Sequence, residues 1–310
     1  MSPTPLLIIL GATASGKTKL AVNMAAELNG EIISADSRQL FEGMNIGTGK
    51  DLDEYLIYQK TIPYHLIDIK KAGEKYNVNE FKEDFYAALE QISIRRKLPI
   101  LCGGTGMYIH SILQNHELTA VPIDLALRNT LESLEKIELI DRLNLYPGEL
   151  TEKVDHSSKK RLIRAIEICE YLNVHPLQPK QKVEISPFVI GLKSEIEVRR
   201  SRILHRLDQR LKSGLIEEVE DLLKNGVTKE MLTFYGLEYK FVVVFLSGEI
   251  SYDKLRENLG VAICQFAKRQ MTFFRKMEKD GVKIHWLDAD LDFPILRDTA
   301  IKLAGHLGFR

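Results

Sequence analysis

Short apolar runs and helical patterns follow one another at the start of the chain and set the expected fold. Residues 6–10 are all apolar, which is typical of a parallel strand buried on both faces. In residues 17–28 apolar side chains recur every four positions, which predicts a helix with one buried face. Residues 31–36 predict a second strand that ends in the carboxylate of Asp36. This order of strand, loop, helix and strand favours an α/β protein.

The remaining patterns divide the chain into a core and an insertion. Further strands are predicted at 99–102, 188–192 and 284–287. Helices are predicted at 79–98, 124–143, 159–172, 214–223 and 255–274. The stretch from 117 to 181 shows only helical patterns, and a proline-marked linker, 175–187, closes it. We therefore predict an α/β core with a parallel sheet from residues 1–116 and 186–310, with an all-helical insertion at 117–185.

The loop after the first strand carries a phosphate-binding pattern. Eight residues match G-x-x-x-x-G-K-[ST] at every fixed position: Gly11, Ala12, Thr13, Ala14, Ser15, Gly16, Lys17 and Thr18. The glycines let successive N–H groups point at a polyphosphate, and the helix N-terminus adds positive potential. Lys17 supplies a mobile charge, and the Thr18 hydroxyl is placed to bind Mg²⁺. The pattern predicts a polyphosphate ligand without identifying it, and it makes the predicted parallel sheet core P-loop NTPase-like. A glycine turn that binds nothing is the weaker alternative.

Composition narrows the class of protein. Of the 310 residues, 45% are hydrophobic, which is typical of a globular protein. The formal net charge is zero, so the protein as a whole has no positive electrostatic potential that would attract nucleic acid. Any polyanion must therefore bind to local basic patches. The three cysteines have no zinc-binding spacing, and no apolar run is long enough for a signal peptide or a membrane span. We expect a cytoplasmic protein without a membrane segment.

Two strand ends bring polar residues to the edge where the phosphate loop lies. Asp36 is followed directly by Ser37, Arg38 and Gln39, and the strand at 99–102 ends in the glycine-rich turn 103–106. Ligands of open α/β sheets bind beyond the carboxyl ends of the strands, so both segments are site candidates. An alternative for Asp36 is the N-cap of a following helix. No Asp ends the 99–102 strand, which weakens the case for ATP hydrolysis.

Two helices carry basic stripes. In the insertion, Lys160, Arg161 and Arg164 lie opposite an apolar face, which indicates contact with the phosphates of a nucleic acid or a solvated surface. After the strand at 188–192, four arginines are spaced three or four apart: Arg199, Arg202, Arg206 and Arg210. Such a stripe is typical of a lid that closes on transferring phosphates, or again of solvated charge.

These motifs together resemble the bacterial tRNA dimethylallyltransferase family over nearly the whole chain. The matching stretches are 11–18, Ser-Ala-Asp-Ser-Arg-Gln at 34–39, 43–50, Pro-Tyr-His-Leu-Ile-Asp at 63–68, 103–108, 160–167 and Ala-Lys-Arg-Gln-Met-Thr-Phe-Phe-Arg at 267–275. The stretches at 34–39 and 267–275 are the most specific. Two segments depart from the family pattern. Asp155–Ser158 replaces a His-Pro-Asn-Asp stretch, and Gly236–Lys240 replaces a Gly-Tyr-Lys/Arg-Glu motif.

The resemblance implies a reaction and assigns roles to residues. It implies transfer of a dimethylallyl group from dimethylallyl diphosphate to N6 of the adenosine on the 3′ side of the anticodon, with release of diphosphate and with Mg²⁺ as cofactor. Asp36 corresponds to the general base, Arg210 to an arginine near the diphosphate, and Thr105 to a threonine near the reacting centre; Lys17 is expected to stabilise the leaving group. It also implies a tRNA-binding set: Asp36, Ser37, Arg38, Gln39, Thr105, Arg128, Lys160, Arg161, Leu162, Ile163 and Arg164.

Two other functions use some of the same features. A small-molecule or nucleotide kinase would share the phosphate loop and the arginine lid, but it would need the missing strand-end Asp. A nucleotide-dependent switch or an RNA-binding module would not need Asp36 beside Gln39. We expect a nucleotide-binding fold and a monomer that acts on the tRNA anticodon stem-loop. No recognisable motif indicates which tRNAs the protein modifies or which allylic donors it prefers.

Overall fold

A six-stranded parallel sheet, in the order β5-β2-β6-β1-β7-β8, forms the centre of the fold in this computed structural model. Its strands are β1 (Thr4–Gly11), β2 (Gly30–Ser34), β5 (Tyr64–His65), β6 (Leu98–Gly103), β7 (Ile185–Lys193) and β8 (Ile284–Asp288). Two further strands, β3 (Leu56–Ile57) and β4 (Lys60–Thr61), form a separate antiparallel hairpin. Strand β1 lies between β6 and β7, so residues 6–10 are fully buried, as the continuous apolar run predicts.

The structure describes residues 3–152, 154–176 and 183–305. By its internal contacts the chain forms two compact units. The first comprises Met1–Gln114 and Val183–Arg310, and the second comprises Asn115–Lys182. The domain boundaries expected from the sequence, with the insertion at 117–185, stay a prediction. Among the described residues no helix is long and apolar enough to cross a membrane.

Helices cover both faces of the sheet in the first unit. They are α1 (Lys17–Glu27), α2 (Val78–Ile94), α3 (Gly106–Leu113), α8 (Ile196–Lys212), α9 (Leu215–Lys224), α10 (Lys229–Tyr235), α11 (Leu237–Leu246), α12 (Tyr252–Lys279) and α13 (Phe293–Gly305). Buried residues of α1 and α13 form one apolar cluster, and those of α2, α3, α8, α9, α10, α11 and α12 form the other. This layered arrangement, with a strand-end edge left open, is the α/β architecture expected from the sequence.

The second unit is built from α4 (Leu125–Glu132), α5 (Lys136–Leu143), α6 (Gly148–Thr151) and α7 (Lys159–Val174), with no strand among its described residues. The prediction of a single helix over 124–143 is wrong. Glu135 starts a new helix there, because its backbone N–H donates to Glu138 in a capping box. Leu131, Leu139, Leu143, Leu162 and Ile166 form the apolar core of this unit.

Strand β7 begins earlier than the sequence patterns predict. The predicted start was 188, but pairing with β1 begins at Ile185 and includes Pro187. Strand β8 pairs with the other side of β7 only from Val189 onward. At Pro187 that side of β7 is unpaired, so the strand tolerates a residue without a backbone N–H there. The predicted linker 175–187 therefore overlaps this strand, and its residues 177–182 lie outside the described part of the chain.

Candidate active site

The phosphate loop lies between β1 and α1, as the pattern predicts. Gly16 caps α1 with a φ of 78°, a left-handed conformation that side chains with a Cβ resist. The side chains of Lys17 and Thr18 are half-buried and line two cavities on the same side of the sheet. Two N–H groups of the loop are already used within the protein: Thr13 donates to Oε1 of Gln270 at 2.9 Å, and Ser15 donates to the Ala12 carbonyl at 3.3 Å.

The larger cavity, of about 1000 Å³, is lined by the phosphate loop, the loop after residue 44 and helix α8. Three of the four arginines of the predicted stripe, Arg202, Arg206 and Arg210, line it, and Arg199 does not. The cavity also presents carboxylates, and Arg206 is ion-paired with one of them, Asp51. These three arginines therefore share a cavity with the phosphate loop, and a role in closing on phosphates stays a prediction.

Asp36 follows β2 at the open edge of the sheet. Residues 37–40 form a turn with no helix after them, so the N-cap alternative for Asp36 is wrong. Instead Oδ1 of Asp36 accepts the backbone N–H of Arg38 at 3.1 Å. The next residue is fixed as well, because the Ser37 N–H donates to Oγ1 of Thr105 at 3.1 Å. Thr105 thereby joins the β6–α3 turn to the turn that carries Asp36.

A smaller cavity, of about 60 Å³, brings the predicted chemical groups together. Its lining includes Lys17, Thr18, Asp36, Thr105 and Arg210. Lys17, Thr18 and Arg210 also line the larger cavity, so the two spaces share a wall. A polyphosphate at the loop would therefore lie close to a carboxylate and a threonine hydroxyl that face the smaller space.

Two glutamine side chains hold the walls of the smaller cavity. Gln39 is buried, accepts the Ser34 hydroxyl at 3.1 Å and donates to the Gly49 carbonyl at 3.0 Å. Gln270 on α12 accepts from Thr13 and donates to the Gly104 carbonyl at 2.9 Å. Both amides are thus committed to the protein on both ends, which indicates a framework role.

Arg210 lines both cavities, and its side chain is largely enclosed. Its guanidinium group lies over Gly49, where a Cβ would be only 1.6 Å from Nη2, so only glycine leaves the required space. Nη1 lies 3.6 Å from Oε1 of the buried Glu238, and Nε is buried with no hydrogen-bond partner among the described residues. Burial, and then the positive charge of Arg206, lowers the pKa of Arg210.

Comparisons with known proteins identify the family. The model of the IPP transferase family matches residues 39–277. The chain is 48% identical to tRNA dimethylallyltransferase 2 of Porphyromonas gingivalis over 98% of this chain and 100% of that protein. The chain belongs to the IPP transferase family. The family prediction made from the motifs is confirmed.

Solved structures agree with this assignment. A tRNA isopentenylpyrophosphate transferase from Bacillus halodurans is 31% identical, with a TM-score of 0.72 over 97% of this chain and 96% of that one. A eukaryotic dimethylallyltransferase acting on tRNA is only 22% identical but has a TM-score of 0.79 over 99% of this chain and 79% of its own, which shows the same fold. The predicted P-loop NTPase-like fold class is confirmed.

In this IPP transferase the second unit uses part of its predicted tRNA-binding set for its own structure. The side chains of Leu162 and Ile163 are buried in its core, and that these two residues bind tRNA stays a prediction. Arg164 donates to the carboxylate of Glu167 and to three backbone carbonyls, and Arg128 binds the same carboxylate with a two-pronged contact of 2.9 and 2.8 Å.

Two of the four basic side chains that the predicted tRNA-binding set places in that unit are exposed. Lys160 faces solvent, and Arg161 is exposed while it is ion-paired with Asp155. A surface pair of this kind is weak and can exchange for a phosphate. That these residues, Arg128 and Arg164 bind tRNA stays a prediction.

The structure also shows site residues that the motifs did not single out. Glu218 on α9 accepts three consecutive backbone N–H groups, of Asn45, Ile46 and Gly47, at 2.7–2.9 Å. These belong to the loop that lines the larger cavity, so Glu218 shapes that wall. Its position in an ordinary amphipathic helix gave no signal. Gln270 lay within a matched motif but had no assigned role.

Proposed function

We propose that this protein transfers the dimethylallyl group of dimethylallyl diphosphate to N6 of the adenosine on the 3′ side of the anticodon of tRNAs. The products are N6-(dimethylallyl)adenosine and diphosphate. One observation carries the proposal: a phosphate loop, a strand-end carboxylate and a half-buried arginine, Arg210, line the same small cavity. The family to which the chain belongs supplies the substrate class.

The donor half of the reaction is assigned to the phosphate loop and Arg210. Loop N–H groups and the N-terminus of α1 would hold the diphosphate. As the bond between C1 of the allyl group and the diphosphate oxygen breaks, both electrons stay on that oxygen. Lys17 and Arg210 would stabilise the negative charge that develops there, which acts mainly on the transition state.

The acceptor half is assigned to Asp36 and Thr105. The amine of adenine is a weak nucleophile because its lone pair is delocalised into the ring. A new bond forms from N6 to C1, and the proton that N6 loses would pass to the carboxylate of Asp36. The base must leave its stack to reach a cavity of this size, as in other base-modifying enzymes. The hydroxyl of Thr105, which is hydrogen-bonded to Ser37 beside Asp36, would orient the adenine base.

Mg²⁺ fits the donor site. Mg²⁺ uses one or two protein ligands together with substrate phosphates and water, and it does not need a dedicated cage. The described residues form no group of three or more His, Cys, Asp or Glu side chains that could hold a metal, which agrees with such a shared site. Thr18 would supply its hydroxyl, and the ion would neutralise charge on the diphosphate.

The experiment compares bulk tRNA from cells with and without this chain, by mass spectrometry of the nucleosides. The proposal expects N6-(dimethylallyl)adenosine only in cells that contain the active protein, and its absence from both would contradict it. Thermal-shift titration separates the kinase alternative: stabilisation by dimethylallyl diphosphate and not by ATP supports transfer, and the reverse supports a kinase. A cytoplasmic monomer acting on the anticodon stem-loop is part of the same proposal.

A further inference from the structure

Glu238 joins two parts of the site that are far apart in the sequence. It is the second residue of α11, and only 5% of it is exposed. Its Oε2 accepts from Nη1 of Arg38 at 3.0 Å, and its Oε1 lies 3.6 Å from Nη1 of Arg210. Arg38 belongs to the turn after β2, and Arg210 belongs to α8. One buried carboxylate therefore contacts one arginine of the acceptor half and one of the donor half.

On the acceptor side, Arg38 is tied to the turn that presents Asp36. Its backbone N–H donates to Oδ1 of Asp36 at 3.1 Å. Its guanidinium group lies 4.6 Å from the ring centre of Phe266, which packs one side of it. Gly236 closes the other side, since a Cβ there would lie 2.9 Å from Nε of Arg38. A change in the position of this guanidinium group would therefore be transmitted to the turn and to the carboxylate of Asp36.

On the donor side, the contact with Glu238 is the only ion pair found for Arg210 among the described residues. The guanidinium group is enclosed over Gly49, and its Nε lacks a partner. A confined cation with unused donors is suited to an anionic ligand, provided that something holds it in place. The two arginines outnumber the single carboxylate, so the group of three keeps a net positive charge for the diphosphate.

We propose that Glu238 is a positioning residue. It holds the guanidinium group of Arg210 where it can bind the diphosphate, and through Arg38 it holds the turn that carries Asp36 in place. The donor-side part depends only on binding of a diphosphate. The acceptor-side part rests on the proposed function, because it concerns the rate of prenyl transfer.

The first experiment uses inorganic diphosphate as the probe, titrated by calorimetry into the wild type, Glu238→Gln, Arg210→Gln and the double variant. Loss of Arg210 should weaken binding roughly tenfold to a hundredfold, as for a hydrogen bond to a charged group. Loss of Glu238 should weaken it roughly threefold to tenfold, because Arg210 is no longer held in its binding position. In the Arg210→Gln background the change at Glu238 should weaken binding no further.

The direction of the Glu238→Gln effect decides between positioning and simple charge balance. If Glu238 only balances charge, its removal takes a negative charge out of an anion site. Diphosphate should then bind more tightly in both backgrounds, and that result would overturn the proposal. This experiment needs neither tRNA nor an allyl group, so it stands even if the protein transfers no prenyl group.

The second experiment measures the single-turnover rate of transfer at saturating substrates. Glu238→Gln should lower it roughly tenfold to a hundredfold, the cost of a small displacement of reacting groups. The matched control is Glu31→Gln, the same substitution at another buried glutamate that contacts two basic side chains, Arg95 and His65, away from the cavities. The control should lower the melting temperature and leave the rate within about twofold.

A second variant keeps the acceptor-side part testable if Glu238→Gln does not fold. Gly236→Ala leaves Glu238 intact, and its backbone is extended, so its main effect is to displace the guanidinium group of Arg38. It should lower the single-turnover rate at least about threefold with an unchanged melting temperature. A wild-type rate in Gly236→Ala, or equal rate losses in Glu238→Gln and Glu31→Gln, would refute the acceptor-side part. A wild type without transfer activity would instead refute the proposed function.

Discussion

Glu31 and Glu238 are both buried glutamates with two basic neighbours, but they serve opposite ends of the first unit. Glu31 lies at the amino end of β2, where Arg95 donates to both of its oxygens at 2.9 and 2.7 Å and His65 Nε2 lies 2.8 Å away. Glu238 lies at the carboxyl edge, where its contact with Arg210 is 3.6 Å long and Arg210 retains an unpartnered Nε.

A buried glutamate between two basic side chains can therefore either stabilise the fold or arrange a binding site. At the amino end, the carboxylate is saturated by well-aligned donors, and nothing is left to bind a ligand. At the carboxyl edge, cations and hydroxyl groups keep hydrogen-bond donors without a partner in the protein. These unpaired donors lower the free energy of unfolding but are available to bind a ligand. The predictions below test this division, beginning with the largest expected effect.

Asp36→Asn should have the largest effect on the rate of transfer while changing the stability of the fold very little. It keeps the shape of the side chain and its acceptance of the Arg38 N–H, but it removes the base. General-base catalysis contributes about 10²–10⁴-fold, so the single-turnover rate should fall by that factor while the melting temperature changes little. Affinity for tRNA should change far less, because phosphate contacts dominate it. An Asn variant with the wild-type rate would remove Asp36 from the mechanism.

Lys17→Ala should also act on the rate and not on folding. The side chain lines both cavities, and the structure shows no protein partner for it in the described part of the chain. Loss of one preorganised donor should cost about 2.7–4 kcal/mol of transition-state stabilisation, or about 10²–10³ in rate. Single-turnover kinetics at saturating donor measures this. A drop of less than about tenfold would contradict the assignment.

Glu31→Gln should have the converse effect. It removes the charge that two basic side chains share, and the loss of charge-assisted hydrogen bonds at this buried carboxylate should cost about 2 kcal/mol of unfolding free energy. Denaturant unfolding measures that change, and the single-turnover rate should stay within about twofold of wild type. If the rate fell with the stability, the two ends of the sheet would not be independent.

The stabilising role of Glu31 should depend on pH in a defined direction. The hydrogen bond from Arg95 lowers the pKa of Glu31 below its ordinary value of 4.5, against the effect of burial. The carboxylate therefore stabilises the fold fully above pH 4.5, and this contribution is lost as the pH falls through the lowered pKa. The difference in unfolding free energy between the wild type and Glu31→Gln should shrink over that range. A difference independent of pH would contradict the ion pair.

The smallest effect is expected from exposed charge in the second unit. Arg161 is paired only at the surface, with Asp155, so its removal should leave the melting temperature unchanged. If it holds an RNA phosphate, Arg161→Gln should lower the salt slope of tRNA binding by about one unit. The control Lys302→Gln, on α13, should leave the slope unchanged. An identical slope in Arg161→Gln would reassign this arginine to the solvated surface.

Local sequence patterns were sufficient for five of the six strands of the sheet, the phosphate loop and the strand-end position of Asp36, but they missed the two-residue edge strand β5. A buried parallel strand must be apolar throughout, and a phosphate loop must have glycines at fixed positions, so both leave a signal within a few residues. The errors had local causes too. The break between α4 and α5 came from a capping box whose two members are both glutamates, and the early start of β7 came from one-sided pairing at Pro187.

The contacts that arrange the site were decided by the tertiary structure. Glu238, Glu218 and Gln270 lie on helices whose sequence periodicity explains only which face is buried. Their partners, Arg38, the loop at 45–47 and Thr13, are 171 to 257 residues away in the sequence. A short motif encodes the groups that bind phosphate because the backbone itself positions them. The surroundings of Arg210 and Arg38 depend on the carboxylate of Glu238 from a distant segment, and only packing brings it next to them.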